Sequence, residues 1–344
     1  MFFPLSGLDF DKEMKFYTLF QPDFMKGLIP KKYCIYLDQF AVSNMVDNQP
    51  DWMGIKDLLQ NGVSKGLFVC PVPYEHFIET AQKVDANALL HDEFLRSLSD
   101  GYYFKAEPYL TAQLMISAIR KNNITANTFL SKKLDPNFSF AGSINKFRGY
   151  RKYHASMVNE VEEITAPMAK MLRGRKIDPK IELQLIAAWN DLFKFEFCDR
   201  LKELIDRKAL EFRRVDFRDL TIPHWIDYLL EALLKVNKMS IAESKTLLSY
   251  VKLYGFDRTS TMDVRFTINA YRDIKHKKET PNDQLDIVRI ATAIQISDIM
   301  FVDKTRKFEL AENGLDKKYG VELFSGTKQD LQRCEQLLKS LVGF

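Results

Sequence analysis

Thr280 to Lys304 reads TPNDQLDIVRIATAIQISDIMFVDK. Ile287, Ile290, Ala291 and Ile294 fall at i, i+3, i+4 and i+7, the spacing of a helix with one apolar face, and the residues before them place its start at Asn282/Asp283. A short apolar run, Ile299 to Val302, follows and ends in Asp303, as a buried strand would. A helix that opens with one carboxylate and leads into a parallel strand carrying another at its C-terminal end puts both acids on one rim of an α/β sheet. In such folds that rim binds the ligand.

The same grammar occurs twice near the N-terminus. Lys32 to Leu37 is a compact run of β-branched and aromatic residues ending in Asp38. An amphipathic helix over Trp52 to Gln60 follows. Gly66 to Val72 (GLFVCPV) then reads as a second buried strand, left through Pro73. The next helix, Tyr74 to Val84, carries Glu75 and Glu79 at i and i+4 on one face, with Phe77, Ile78 and Ala81 on the other.

Between Asp85 and Glu279 the period changes to 3.6, over about 86–99, 109–122, 145–172, 180–213, 224–236, 241–254 and 262–277. Breaks fall at Asp135-Pro136-Asn137, Asp178-Pro179 and Gly255-Phe256-Asp257, and Pro167 should kink the third segment. No internal repeat is visible. After Asp303 come a short helix, a strand from Val321 to Phe324, and a last helix with Thr327 and Asp330 spaced as a capping box. The expected organisation is an α/β domain in two halves, 31–84 and 280–344, split by an all-helical insertion over 85–279. Residues 1–30 form an aromatic-rich lead-in with no readable element.

A chain of 344 residues that is 46% apolar can bury a large core, in one big domain or two. A net charge of +4 permits a polyanionic partner without arguing for one. Cys34, Cys70, Cys198 and Cys334 are scattered, with no C-x-x-C spacing, and are expected to be reduced, buried thiols. The first residues have no basic start and no unbroken apolar run, and no stretch approaches the roughly 18 apolar residues of a membrane span. The expected location is cytoplasmic, with no membrane partner.

Asp38 in IYLDQFAVSNM, the acid-bearing helix after the second strand (PVPYEHFIET), the ND-x-x-DIVRIATA run and the final FVD together resemble the acidic motifs of PIN-like nucleases. The resemblance covers 31–84 and 280–344. It is most specific in DIVRIATA and in the 17-residue step from Asp286 to Asp303. It implies a three-layer α/β/α domain with a parallel sheet, acting as a hydrolase: an Mg²⁺- or Mn²⁺-dependent endonuclease. Its substrate would be RNA rather than DNA. By position Asp38, Glu79, Asp286 and Asp303 would be the catalytic, metal-holding acids, with Glu75 and Asp283 as further metal candidates. Two positions depart from the family pattern. Phe301 replaces a threonine or serine two residues before the last acid, and Phe40 replaces a small polar residue two after the first.

The residue types suit that chemistry independently. Phosphodiester hydrolysis needs an activated water and stabilisation of charge on the nonbridging and leaving oxygens, and hard divalent cations held by carboxylates supply both. Acids without Cys or His fit Mg²⁺ or Mn²⁺ better than zinc. His76 lies about 100° from Glu75 on a helix, and no H-E-x-x-H order is present. Each acid also has a structural reading: Asp283 as a helix cap, and Asp286 as a first-turn carboxylate favoured by the helix dipole. Asp38 and Asp303, at the ends of central strands, are harder to explain without a cation.

Two basic tracts are candidates for phosphate contact. Arg265, Asn269 and Arg272 share one helix face, and Lys275, His276, Lys277 and Lys278 run directly ahead of Asp283. FRGYRKYH (147–154) interleaves Arg148, Arg151 and Lys152 with aromatic residues, but reads better as an ordinary solvated face. Two rival readings remain: a catalytically silent PIN-like protein that binds nucleic acid or a protein partner, and a phosphatase of the haloacid dehalogenase type. The latter needs an aspartate where Phe40 stands. A second copy of the chain or a regulatory protein is left open as a partner.

Overall fold

The computed structural model describes residues 32–73, 75–132, 178–207, 225–256, 258–275 and 280–343. The apolar run YCIYL forms β1 (Tyr33–Leu37), and Asp38 then caps α1 (Gln39–Val46). A 3₁₀ turn at Pro50–Trp52 leads to α2 (Met53–Ser64), β2 (Phe68–Val69), α3 (His76–Thr80) and α4 (Asp85–Ser99). Next come β3 (Tyr102–Phe104), α5 (Glu107–Arg120), α6 (Ala126–Phe129) and β4 (Leu130–Lys132). Four long segments follow: α7 (Pro179–Arg207), α8 (Trp225–Glu231) continued by a π turn, α9 (Ile241–Tyr254) and α10 (Ser260–Ile274). The chain closes with α11 (Pro281–Ala293), β5 (Ile299–Phe301), α12 (Lys304–Glu312), α13 (Leu315–Tyr319), β6 (Glu322–Phe324) and α14 (Lys328–Val342).

This is a mixed α/β chain built on a small, wholly parallel sheet in the order β2-β1-β5-β6. Strand side chains alternate between two cores. Ile35, Leu37, Ile299, Phe301 and Phe324 pack with α1, α2, α4 and α14, while Cys34, Tyr36, Met300, Val302 and Leu323 pack with α5, α10 and α11. Burial on both faces is why β1 and β5 read as unbroken apolar runs rather than alternating ones. Gly62 in α2 is needed for this packing, because a Cβ there would sit 2.0 Å from the Phe68 ring of β2.

The chain leaves β1 toward β2 on one side and leaves β5 toward β6 on the other. The strand order therefore reverses between β1 and β5, and such a reversal opens a crevice at the C-terminal strand ends. Backbone and side chain pin the two strands at both ends. Asp38 N–H donates to the Phe301 carbonyl at 3.1 Å, and Cys34 N–H donates to Asp298 Oδ2 at 2.8 Å.

The described residues between the two halves are mostly helical around a third core, where Phe193 stacks on Phe266 at 4.1 Å and Phe197 meets Phe256 edge-on. It is not all helix. β3 and β4 pair antiparallel, and Val72 bridges to Tyr103, which ties this pair to the strand region. The reversal before β3 uses left-handed backbone at Asp100 and Gly101. The helix expected over Tyr74 to Val84 also stops early, at Thr80, and the chain turns before α4 begins. The lead-in, the 145–172 segment and the tract FRGYRKYH lie outside the described residues. No helix of the described residues is long and apolar enough to cross a membrane. All four cysteines are free and buried, and burial pushes the Cys34, Cys70 and Cys334 thiols up.

Candidate active site

Asp38 follows β1 and turns the chain into α1. Its Oδ1 accepts from Gln39 N–H at 2.7 Å, and the residue is only 4% exposed. Glu79 comes from α3 and Asp286 from the second turn of α11. All three carboxylates meet the same group, the guanidinium of Arg289, one helical turn beyond Asp286. Nη2 lies 3.1 Å from Asp38 Oδ1 and 3.2 Å from Glu79 Oε1, and also pairs with Asp286, while Nη1 pairs with Glu79 Oε2. Arg289 is fully buried, and its Nε has no hydrogen-bond partner among the described residues.

Asp303, at the end of β5, caps α12 by accepting from Thr305 N–H at 2.6 Å and Arg306 N–H at 3.0 Å. It stays beside the cluster without touching Arg289. Arg306 Nε lies 4.0 Å from Asp303 Oδ2 and 3.9 Å from Asp286 Oδ2, so this second buried arginine spans the two acids. The Asp303 side chain is 38% exposed and is the most open of the four.

Asp283 belongs elsewhere. It is the third residue of α11 and completes a capping box with Thr280, whose N–H and hydroxyl donate to Asp283 Oδ2 at 2.6 and 2.7 Å. The helix cap itself is Thr280, not Asn282 or Asp283, because Pro281 supplies the first helical residue. Asp283 also pairs with Arg306 and with Arg272 Nη2 at 3.1 Å. Arg272 Nη1 donates to Glu309 at 3.0 Å, and Glu309, 0% exposed, receives Arg306 as well. A buried ionic chain thus runs from α10 through α11 and α12 to the rim.

This geometry corrects the reading of the basic face. Arg272 is 4% exposed and turned inward. Arg265 donates to Glu107 Oε2 at 2.7 Å from a largely buried position. Neither offers a free guanidinium to phosphate. Periodicity marked their shared face, but that face packs against acids of α5, α11 and α12 rather than against water. Lys275 is exposed and sits over the Tyr271 ring, while Lys277 and Lys278 lie outside the described residues.

Burial dominates the electrostatics. It raises the Asp38 and Asp286 pKa values, with Arg289 opposing and the neighbouring carboxylates reinforcing the shift. Glu75, buried one turn before Glu79, is pushed up to about 7 by burial. Burial disfavours the Arg289 cation too, yet Glu79 and Asp38 outweigh it and hold its pKa above the ordinary arginine value. Below the cluster, His76 is fully buried with both ring nitrogens unpartnered among the described residues, and burial first and Arg289 second keep it neutral. The neighbouring Tyr36 hydroxyl also has no hydrogen-bond partner among them.

The donor set at the rim is all carboxylate oxygen, which suits a hard divalent cation. Among the described residues no three acids, imidazoles or thiols close directly on one another as a ligand set. Asp38, Glu79 and Asp286 close on a guanidinium instead. Arg289, Arg306 and Glu309 went unread in the sequence. The available signal was an arginine inside an otherwise apolar helical run, three residues after an acid. Compared with protein-family models, with curated proteins and with solved structures, the chain matches none.

Proposed function

We propose that this chain is a PIN-like nuclease that cleaves RNA in preference to DNA with the help of Mg²⁺ or Mn²⁺. Asp38, Glu79, Asp286 and Asp303 are the residues that would hold the cation. One observation carries the reading: Asp38, Glu79 and Asp286, from three separate elements, meet at the C-terminal rim where the strand order reverses. The preference for RNA and the three-layer arrangement rest on the resemblance of DIVRIATA and its flanking acids to that family.

A bound divalent cation would lower the pKa of a water and offset charge on the phosphoryl oxygens. The chain's own residues set the conditions for this. Burial gives Asp38 and Asp286 a tendency to hold protons, so both must release them to serve as ligands. Arg306 lends positive charge to both Asp286 and Asp303, its Nε standing 3.9 Å from the one and 4.0 Å from the other, and the Gln39 and Thr305 N–H groups fix Asp38 and Asp303 as helix caps. The helical region between the halves would wall one side of the crevice and restrict which nucleic acid enters.

Arg289 favours a second reading, in which the acids serve only to bury an arginine and the protein binds without cutting. Matched single-stranded RNA and DNA, end-labelled and incubated with the full chain, Mn²⁺ and either EDTA or none, separate the two. The nuclease reading expects RNA cleavage that EDTA abolishes and that Asp38→Asn loses. An intact RNA pool with wild-type protein and Mn²⁺ would leave the silent reading standing.

A further inference from the structure

Resting on the cation site proposed above, we infer that Arg289 is a displaceable internal counterion: its guanidinium holds the place the divalent cation takes, and loading requires it to withdraw. Three features argue for this. The guanidinium contacts Asp38, Glu79 and Asp286 at once, so those oxygens cannot face both it and an ion. The fourth acid, Asp303, is outside its reach and partly open, which leaves an entry side for an incoming ion. Arg306 already stands 3.9 Å from the other oxygen of Asp286, so Asp286 keeps a counter-charge when Arg289 leaves.

The physics makes the exchange close to balanced. A buried arginine stripped of carboxylates is costly, and so are buried carboxylates stripped of arginine. A divalent cation replaces one positive charge with two among three acids, and this favours loading electrostatically. The seated guanidinium reduces the apparent cation affinity by the fraction of chains in which the place is vacant. Such a device would keep the site neutralised when cation is scarce and confine loading to chains that release the arginine.

The test is direct Mn²⁺ binding, read by the loss of the free-ion electron paramagnetic resonance signal and by calorimetry, near neutral pH. Wild type, Arg289→Gln and Arg289→Lys are compared as full-length chains. Arg289→Gln should bind Mn²⁺ about tenfold tighter than wild type or better, with Arg289→Lys between them, because a vacant place is then always available. If Arg289→Gln folds only with Mn²⁺ present, Arg289→Lys carries the comparison. Equal or weaker binding by the variants overturns the displacement while leaving the cation site intact. No binding by any of the three at millimolar Mn²⁺ overturns the site and the displacement together.

Discussion

Arg289 Nη2 and Asp38 Oδ1 stand 3.1 Å apart, the one on α11 and the other at the end of β1. The contact joins the two halves of the α/β chain through side chains, beside the backbone bond from Asp38 N–H to the Phe301 carbonyl. With Glu79 and Asp286 on the same guanidinium, three carboxylates share one buried positive charge.

Glu79 and Glu75 should differ sharply in consequence. Glu79 faces the cluster with both oxygens, whereas Glu75, one turn earlier, pairs with no cation among the described residues. Glu79→Gln should lower RNA cleavage by about 10²-fold or more, and Glu75→Gln by only a few-fold. Rates with Mn²⁺ on one labelled RNA check it. The reverse order would mean that the α3 register of the site is one turn off.

Glu75 itself should shape stability against pH. Its ordinary pKa of 4.5 rises to about 7 on folding, so between those values the folded chain holds a proton that the unfolded chain has lost. Stability therefore falls as pH rises through that window, and the loss, on the order of 3 kcal/mol at most, is complete above it. Glu75→Gln should flatten the decline and leave the variant more stable than wild type at pH 8. Denaturant titrations of both proteins across pH 4 to 8 decide the matter.

Asp286→Asn should abolish cleavage and remove most of the Mn²⁺-dependent rise in melting temperature, because that rise scales with affinity for the folded state. The metal-free variant should melt no lower than wild type, since burial already disfavours the ionised form of Asp286. A Mn²⁺ shift as large as in wild type would end the assignment of Asp286 as a ligand.

The buried ionic chain predicts a stability effect where the sequence suggested a binding one. Arg272→Met removes a cation that both Asp283 and the fully buried Glu309 pair with, and breaking buried pairs of this kind costs about 3–5 kcal/mol. Lys275→Gln, on an exposed residue, should change stability by about 0.5 kcal/mol or less. Chemical denaturation distinguishes them; near-equal midpoints would contradict the inward placement of Arg272.

Packing in the sheet gives an independent check. Gly62→Ala puts a methyl against the Phe68 ring, and such overpacking costs about 1–3 kcal/mol. A thermal melt indistinguishable from wild type would show that α2 and β2 give way more easily than their contact suggests.

What could be read from the sequence follows from length and periodicity. β1, β5 and α11 were legible because unbroken apolar runs and a 3.6-residue repeat leave few alternatives, and their acids came with them. β3 and β4 were not. Three residues each are too few for a period, and only the Tyr102-Tyr103-Phe104 aromatic run after Gly101 hinted at a strand. Arg272 and Arg289 were illegible for another reason. Spacing assigns a charged residue to a face, but whether water or another element's carboxylates meet that face is decided by tertiary packing.

The neighbours at the centre of the sheet are made far apart in time. Cys34 and Asp298, bonded across the start of β1 and β5, are 264 residues apart. At about 5–20 residues per second, a ribosome that has released β1 needs roughly 10–50 s to deliver its partner. Throughout that interval YCIYL can pair with β2 on one edge while its other edge stays bare, the situation in which apolar strands recruit unintended neighbours. Holding by a chaperone during synthesis should therefore raise the soluble yield of this chain, and slowed translation through the helical region should lower it.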